Sequence, residues 1–231
     1  MEPGRVPRLY GLDIETDTAI DGLDPAIGRV LAVAVVSDEP GDGRESLPSL
    51  DAVFDDGDEA HLLEQLDRHL AALAPGVLVT WNGARFDLPY LATRAARLGV
   101  PLGLRLRLDP ALGGHHEPLP GHAGAYRAGW YRHDHLDAYR VYRADVGPAL
   151  RLPCSLKAVA SLAGMAPVEV DASHVHELTP AEIRTYVRSD ARCAAALARR
   201  RWPTARLAVD HVAGPGPTDP VAFDTPVGVL P

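Results

Sequence analysis

Residues 9–16 read Leu9-Tyr10-Gly11-Leu12-Asp13-Ile14-Glu15-Thr16, an apolar run that carries two acids two positions apart. In a β-strand, side chains two positions apart leave the same face, about 6.6 Å apart along the chain. Asp13 and Glu15 would then point into one volume, where their charges repel each other unless a proton or a cation intervenes. The stretch therefore predicts a metal site near the start of the fold. The simpler interpretation is a strand end that turns into a polar loop.

Composition limits the classes of protein. The 231 residues fit one large domain, or one domain with a tail, and 46% of them are hydrophobic. There is no apolar run of membrane-spanning length and no stretch of signal-peptide type, so we expect no membrane association and a cytoplasmic location. The two cysteines, Cys154 and Cys193, lie in no ligand spacing, which disfavours a disulfide framework or a structural zinc site.

The formal charge of −8 disfavours a surface that coats nucleic acid broadly. It does not exclude nucleic acid, because acids that bind metal lower the net charge while nearby arginines still hold phosphates.

The order of elements predicts an α/β fold. A β-branched run at 29–36 predicts a strand beside the first, and a hairpin turn at 37–44 leads to a third strand ending near Phe54. A leucine face of period 3.6 predicts a helix over 59–73, followed by a buried strand at 77–80. We expect a mixed sheet of about five strands, an antiparallel meander followed by parallel strands, flanked by helices.

The middle of the chain is predicted to be irregular. Residues 99–132 are rich in glycine and proline and carry His115, His116 and His122 in no zinc spacing, which favours a solvated, mobile loop. A final strand at 133–137 then runs into a helix, with Asp137 as its N-cap.

The last long helix begins at a capping box, with Thr179 as N-cap and Glu182 three residues later, and it ends before Pro203. On this helix, Tyr186 and Asp190 lie four residues apart and share a face. The residues beyond are rich in proline and glycine, so we expect one domain over residues 1–203 and a tail over residues 204–231.

A further acid follows the 77–80 strand. The turn Trp81-Asn82-Gly83-Ala84-Arg85-Phe86-Asp87 precedes a helix, and Asp87 before Leu88-Pro89 suits a helix N-cap. Taken alone, Asp87 requires no role beyond that of a helix N-cap.

Three motifs in this order, Asp13-x-Glu15, Asn82-Gly-x-x-Phe-Asp87 and Tyr186-x-x-x-Asp190, carry a resemblance to a known family. The chain resembles the DEDD superfamily of 3′-5′ exonucleases, of ribonuclease H-like fold, over roughly residues 8–202. Tyrosine marks the DEDDy branch, and the nearest likeness is to the proofreading exonuclease domain of family B DNA polymerases. The histidine branch needs a histidine five residues before the last aspartate, where this chain has Thr185.

The resemblance implies two Mg²⁺ or Mn²⁺ ions held by carboxylates, which suits the preference of these ions for oxygen ligands. By analogy, Asp13, Glu15 and Asp190 would hold the first ion, Asp13 would bridge to the second, and Asp87 would contribute directly or through water. Tyr186 would orient the attacking water and help to remove its proton.

Five further residues are expected on the substrate side. Asn82 can hydrogen-bond a sugar or phosphate, and Phe86 can stack on or wedge beside a terminal base. Their alternative roles are turn former and core residue. Arg85, Arg188 and Lys157 are candidate phosphate contacts, although a surface arginine is usually only solvated.

The leading hypothesis is a metal-dependent exonuclease that removes nucleoside 5′-monophosphates from the 3′ end of single-stranded DNA. An exonuclease that trims RNA is the alternative, and a non-catalytic nucleic-acid or protein interaction module is the alternative from another class. Because no polymerase domain is present in the sequence, we expect a free-standing enzyme or one that serves a partner in trans through its tail.

Overall fold

The structure, a computed structural model, describes residues 6–38, 51–112, 117–150 and 153–212. Seven strands form one mixed sheet in the order β3-β2-β1-β4-β7-β6-β5. The strands are β1 Leu9–Thr16, β2 Val30–Ser37, β3 Ala52–Phe54, β4 Val77–Thr80, β5 Leu104–Leu108, β6 Tyr126–Trp130 and β7 His133–Asp137. The helices are α1 Glu59–Ala72, α2 Asp87–Leu98, α3 Ala138–Leu150, α4 Leu156–Leu162, α5 Pro180–Arg200 and α6 Trp202–Ala205. Short 3-10 turns cover Pro110–Leu112, Ala172–Glu177 and Arg206–Ala208.

The pairing of the strands confirms the predicted fold class. β1, β2 and β3 pair antiparallel, whereas β4 lies parallel to β1 and β7 lies parallel to β4. The carboxyl ends of β1, β4 and β7 therefore meet at one edge of the sheet, which is where α/β proteins place their ligands. Most of the hairpin turn predicted at 37–44 lies outside the described residues.

The predicted number of strands was too low, because β5 and β6 lie inside the segment expected to be an irregular loop. They pair antiparallel with each other, and β6 pairs antiparallel with β7. The expectation of a solvated loop is also wrong at His122, whose ring nitrogens lie 2.8 Å from Thr93 Oγ1 and 2.9 Å from the Tyr126 hydroxyl. His115 and His116 lie outside the described residues.

Helices cover both faces of the sheet. Alternate residues of β1, including Leu12 and Ile14, pack in a core with α1 and α2. The other face packs against α3, α4, α5 and α6 in two further clusters. Asp13 and Glu15 belong to the residues that point to the α5 side, because side chains alternate along a strand.

A glycine sets how closely α5 approaches the sheet. A Cβ atom added to Gly11 would lie 1.9 Å from the carbonyl oxygen of Ala191 and 3.1 Å from the Cβ of Ala195. Because Asp190 precedes Ala191 and Gly11 shares the strand face of Asp13, this contact holds the acid of α5 against the acids of β1.

The chain beyond the long helix continues onto the sheet. The backbone N–H of Asp210 donates to the carbonyl of His135 at 2.7 Å, and Asp210 is 1% exposed. Residues 213–231 lie outside the described ones, so the domain boundary at residue 203 and the tail stay predictions. Of the described helices, none has both the length and the apolar character that crossing a bilayer requires.

Candidate active site

Three carboxylates meet where β1 passes under α5. One oxygen from each of Asp13, Glu15 and Asp190 lies within 4.8 Å of the others. Asp13 and Glu15 share a strand face, and α5 delivers Asp190 through the close contact at Gly11. The structure thus brings together the acids of the first and last motifs, which are 175 or more residues apart in sequence.

Asp87 reaches the same site from the turn after β4. Asn82 adopts the left-handed backbone conformation there, with φ of 68°, and its carbonyl accepts from the N–H groups of Arg85 and Phe86. Asp87 is the first residue of α2, and the N-cap position belongs to Phe86, so the predicted N-cap role of Asp87 is wrong. Its carboxylate instead accepts a hydrogen bond from the backbone N–H of Ile14, between the two acids of β1.

Ionising Asp13 and Glu15 of β1 at the same time is energetically unfavourable. Removal from water, followed by the charges of Asp87, Asp190 and Glu15, raises the pKa of Asp13 well above its usual value. Burial and then the charge of Asp190 raise the pKa of Glu15 to about 8. Burial also raises the pKa of Asp190, against the opposing effect of Lys157. A cation in this volume would remove much of this cost.

Sequence reasoning treated a fifth buried acid, Asp137, only as a helix cap. Its carboxylate does accept from the N–H of Tyr139 at 3.1 Å, as a cap of α3 would, but it also accepts from the N–H of Asn82 at 2.8 Å. Burial, and then the charge of Asp137, raise the pKa of Asp87 to about 7. Asp137 is therefore part of the site. Its signal in the sequence was its position at the end of a strand parallel to β4.

Lys157, the single lysine of the sequence, lies inside the site. Its ammonium forms an ion pair with Asp190 and lies 4.2 Å from the ring centroid of Tyr186. Tyr186 is 6% exposed, and burial together with the charges of Glu15 and Asp190 raises the pKa of its hydroxyl. Tyr186 therefore keeps its proton at neutral pH.

The remaining expected substrate residues take different positions. Asn82 lines a cleft beside the site, and the left-handed backbone agrees with its alternative role as a turn former. The half-buried ring of Phe86 packs against Tyr90 with 5.4 Å between ring centroids and contacts the main core.

The two arginines differ in where they lie. Arg85 lines a second cleft, described below. Arg188 is two residues from both Tyr186 and Asp190, so it lies on another side of α5, because residues two apart do not share a helix face.

The donor set fits divalent cations. Carboxylate oxygens are the ligands that Mg²⁺ and Mn²⁺ prefer, and three of them lie close enough together to share one ion. The ion pair of Lys157 with Asp190 shows that a positive charge is already accommodated there.

The family model for the exonuclease domain of family B DNA polymerases matches residues 8–110. Over these residues the chain is similar to the exonuclease domain of family B DNA polymerases. The match confirms the resemblance to this exonuclease domain and covers Asp13, Glu15 and Asp87, and it supports the expected enzyme class of 3′-5′ exonuclease.

Several DNA polymerases are similar to this chain in sequence or in fold. A DNA polymerase of Pyrococcus glycovorans is 30% identical over 45% of this chain and 13% of its own length. The catalytic polypeptide of DNA polymerase epsilon from Schizosaccharomyces pombe is 31% identical over 55% of this chain and 5% of its own length. The solved family B DNA polymerase of Pyrobaculum calidifontis has a TM-score of 0.62 at 27% identity, over 86% of this chain and 25% of that one. The chain thus spans only a small part of these relatives.

Proposed function

We propose that this chain is a metal-dependent 3′-5′ exonuclease that hydrolyses single-stranded DNA from its 3′ end by a two-metal mechanism. The observation that carries the proposal is the cluster of Asp13, Glu15 and Asp190, whose oxygens lie within 4.8 Å of one another, with the charge of Asp87 acting on Asp13. Acids that are buried together and raise the pKa of Asp13, Glu15 and Asp87 are costly in a protein that only binds nucleic acid, which disfavours the non-catalytic alternative.

The carboxylates of Asp13, Glu15 and Asp190 would hold one Mg²⁺ or Mn²⁺, and Asp13 with Asp87 would hold the second. When bound, the two ions would neutralise charge that develops on the phosphate and lower the pKa of the attacking water. The raised pKa values of these acids support cation binding, because a cation favours their charged forms.

The chain's own residues would position the reacting groups. The neutral hydroxyl of Tyr186 would orient the attacking water as a hydrogen-bond partner. Because its pKa is raised, Tyr186 is a poor base, so the expected help in removing the proton is not part of the proposal. Lys157 would hold Asp190 and the ring of Tyr186 in place, and it would lie close to a phosphate bound at the carboxylates.

We propose DNA as the substrate because the named relatives are DNA polymerases. Trimming of RNA remains the second candidate. The chain spans only a small part of these relatives. Action alone and action beside a polymerase in trans are therefore two separate proposals.

The test is incubation of the protein with 5′-labelled single-stranded DNA and RNA, with and without Mn²⁺. We expect a ladder shortened from the 3′ end, on DNA and only with metal. Asp13→Ala should lose activity by at least about a hundredfold, since it removes a ligand common to both ions. Tyr186→Phe keeps the ring beside Lys157 but removes the hydroxyl, and it should lower kcat about tenfold or more with little change in KM.

Equal activity of wild type and Asp13→Ala would overturn the metal-exonuclease proposal. Full kcat in Tyr186→Phe would show instead that Tyr186 is a structural residue. Faster shortening of RNA than of DNA would make RNA the substrate and would leave the proposed chemistry unchanged.

A further inference from the structure

Two adjoining clefts lie beside the carboxylates at the edge of the sheet. The first, of about 370 Å³, is lined by Trp81, Asn82, Tyr139, Ser155 and Leu156. The second, which we call the arginine cleft, is lined by Arg85, Arg140 and Arg143, with Tyr139 and Asp137 among its other residues. Tyr139 lines both, so a bound chain could pass from one cleft to the other along this side chain.

The residues that line the first cleft are connected to the proposed metal site by short contacts. On one side, Asn82 donates its backbone N–H to Asp137, which raises the pKa of Asp87 through its charge. On the other side, Leu156 directly precedes Lys157, the ion-pair partner of Asp190. Both walls are thus within one or two contacts of a site acid, and the arginine cleft, which includes Asp137 itself, adjoins the first cleft through Tyr139.

The charge of the arginine cleft is unusual for a protein with a net charge of −8. The guanidinium of Arg140 is fixed by Asp210, with Nη1 3.2 Å from Oδ2, and it is still 24% exposed. Among the residues that the structure describes, no carboxylate pairs with Arg143, whose guanidinium lies 5.8 Å from the ring centroid of Tyr139. One buried carboxylate, that of Asp137, also lines the cleft.

The shared aromatic side chain matches the chemistry of a nucleotide chain. Tyr139 is half-buried and packs edge-on against Trp81, with 5.9 Å between ring centroids. Aromatic rings accept bases by stacking, while arginines beside them hold the backbone phosphates, in proteins that bind single strands. Aromatic and cationic side chains thus adjoin each other where the two clefts meet.

We infer that the arginine cleft is a subsite for a backbone phosphate on the 5′ side of the scissile bond, with Arg143 as its principal contact. The single strand would leave the carboxylates through the first cleft, pass Tyr139 and place an upstream phosphate against Arg143. This inference rests on the proposed function for its substrate, and it adds a determinant of strand binding that takes no part in the chemistry.

The test compares Arg143→Gln with Arg97→Gln, which removes the same charge from an exposed position in the last turn of α2, about 15 Å along the helix from Asp87. Binding of a fluorescein-labelled ten-residue oligothymidylate is followed by anisotropy with Mg²⁺, in proteins that also carry Asp13→Asn. Hydrolysis of the p-nitrophenyl ester of thymidine 5′-monophosphate, which has no upstream phosphate, is measured with the acids intact.

We expect Arg143→Gln to weaken oligonucleotide binding about tenfold and to reduce the slope of log K against log salt by about 0.7. Arg143→Lys should recover most of the salt dependence, and Arg97→Gln should change neither quantity. Hydrolysis of the small ester should be unchanged in Arg143→Gln. In the same assay, Tyr139→Ala should weaken binding and Tyr139→Phe should not, because phenylalanine keeps a stacking surface.

Equal affinity and equal salt slope in Arg143→Gln and Arg97→Gln would overturn the subsite, even with an active enzyme. Failure of the wild-type chain to hydrolyse either substrate would instead overturn the proposed function. In that case a selective loss of binding in Arg143→Gln would still establish the arginine cleft as a phosphate site.

Discussion

At the scale of single residues, Asn82 shapes the backbone of the turn before α2 and is also a proposed substrate contact. Its φ of 68° is costly for residues with a Cβ, but asparagine tolerates it better than most. Its carbonyl and N–H close the turn that delivers Asp87, and the residue also lines the first cleft. The two roles can be separated, because only the first depends on the backbone.

We predict that Asn82→Ala destabilises the protein by about 1 kcal/mol and that Asn82→Gly does not, since glycine adopts positive φ without steric cost. Urea unfolding measures this difference. If the side chain also contacts the substrate, Asn82→Gly should raise KM for single-stranded DNA while leaving stability intact. Equal stability of the alanine and glycine variants would contradict the strained turn, and an unchanged KM in Asn82→Gly would contradict the contact.

The sequence identified the acids that belong to recognisable motifs and missed the one that does not. Asp13, Glu15, Asp87 and Asp190 were found because their spacing recurs in a known family. Asp137 looks like an ordinary helix cap, and its hydrogen bond to the turn at Asn82 depends on β4 and β7 being neighbours. Such a contact across the sheet cannot be deduced from either segment alone.

At the scale of elements, the distance between α5 and β1 decides whether the acids meet. Gly11 allows α5 to approach so closely that a methyl group would overlap the Ala191 carbonyl. The oxygen there is backbone, which cannot move without displacing the helix. The whole of α5, with Tyr186 and Asp190, would have to shift to admit a side chain.

We predict that Gly11→Ala costs about 1–3 kcal/mol in stability and lowers exonuclease activity about a hundredfold, because displacement of a reacting group by about 1 Å has this effect. The matched control is Gly57→Ala, where the added Cβ meets no atom within 4 Å. Thermal unfolding and the rate on labelled DNA measure both consequences. A Gly11→Ala protein as active and stable as Gly57→Ala would show that α5 adjusts without moving Asp190.

The elements that the sequence predicted best were those with long, uninterrupted patterns. The leucine face of α1, the β-branched run of β2 and the capping box of α5 all appear as expected. β5 has a clear alternation of leucine and arginine over residues 104–108, but the glycines and prolines around it favoured a loop. The strand is stabilised by pairing with β6, which starts 18 residues after β5 ends. Local sequence propensity therefore underestimated the tendency of residues 104–108 to form a strand.

At the scale of the whole molecule, hydrophobic packing on both faces of the sheet positions the acids. Three hydrophobic clusters fix β1, the β4–α2 turn and α5, and the repulsion among the carboxylates acts against that packing. Stability should therefore depend on pH and on divalent cations through the same groups. In the folded protein the pKa is about 7 for Asp87 and about 8 for Glu15, above their usual values of 3.8 and 4.5.

Between about pH 4 and pH 8 the folded protein thus binds more protons than the unfolded chain, so its stability without metal should fall as the pH rises through this window. We predict that the Tm in EDTA falls by several degrees from pH 5 to pH 8 and that Mg²⁺ raises the Tm more at pH 8 than at pH 6, since about 1 kcal/mol corresponds to about 2–4 °C for a chain of this size. Asp87→Asn should reduce both effects because it removes one of the repelling charges, whereas Glu64→Gln, exposed on α1, should leave them unchanged. A Tm that stays constant over this pH range and does not change with Mg²⁺ would mean that the four acids are not coupled to one another. That result would contradict a shared metal site.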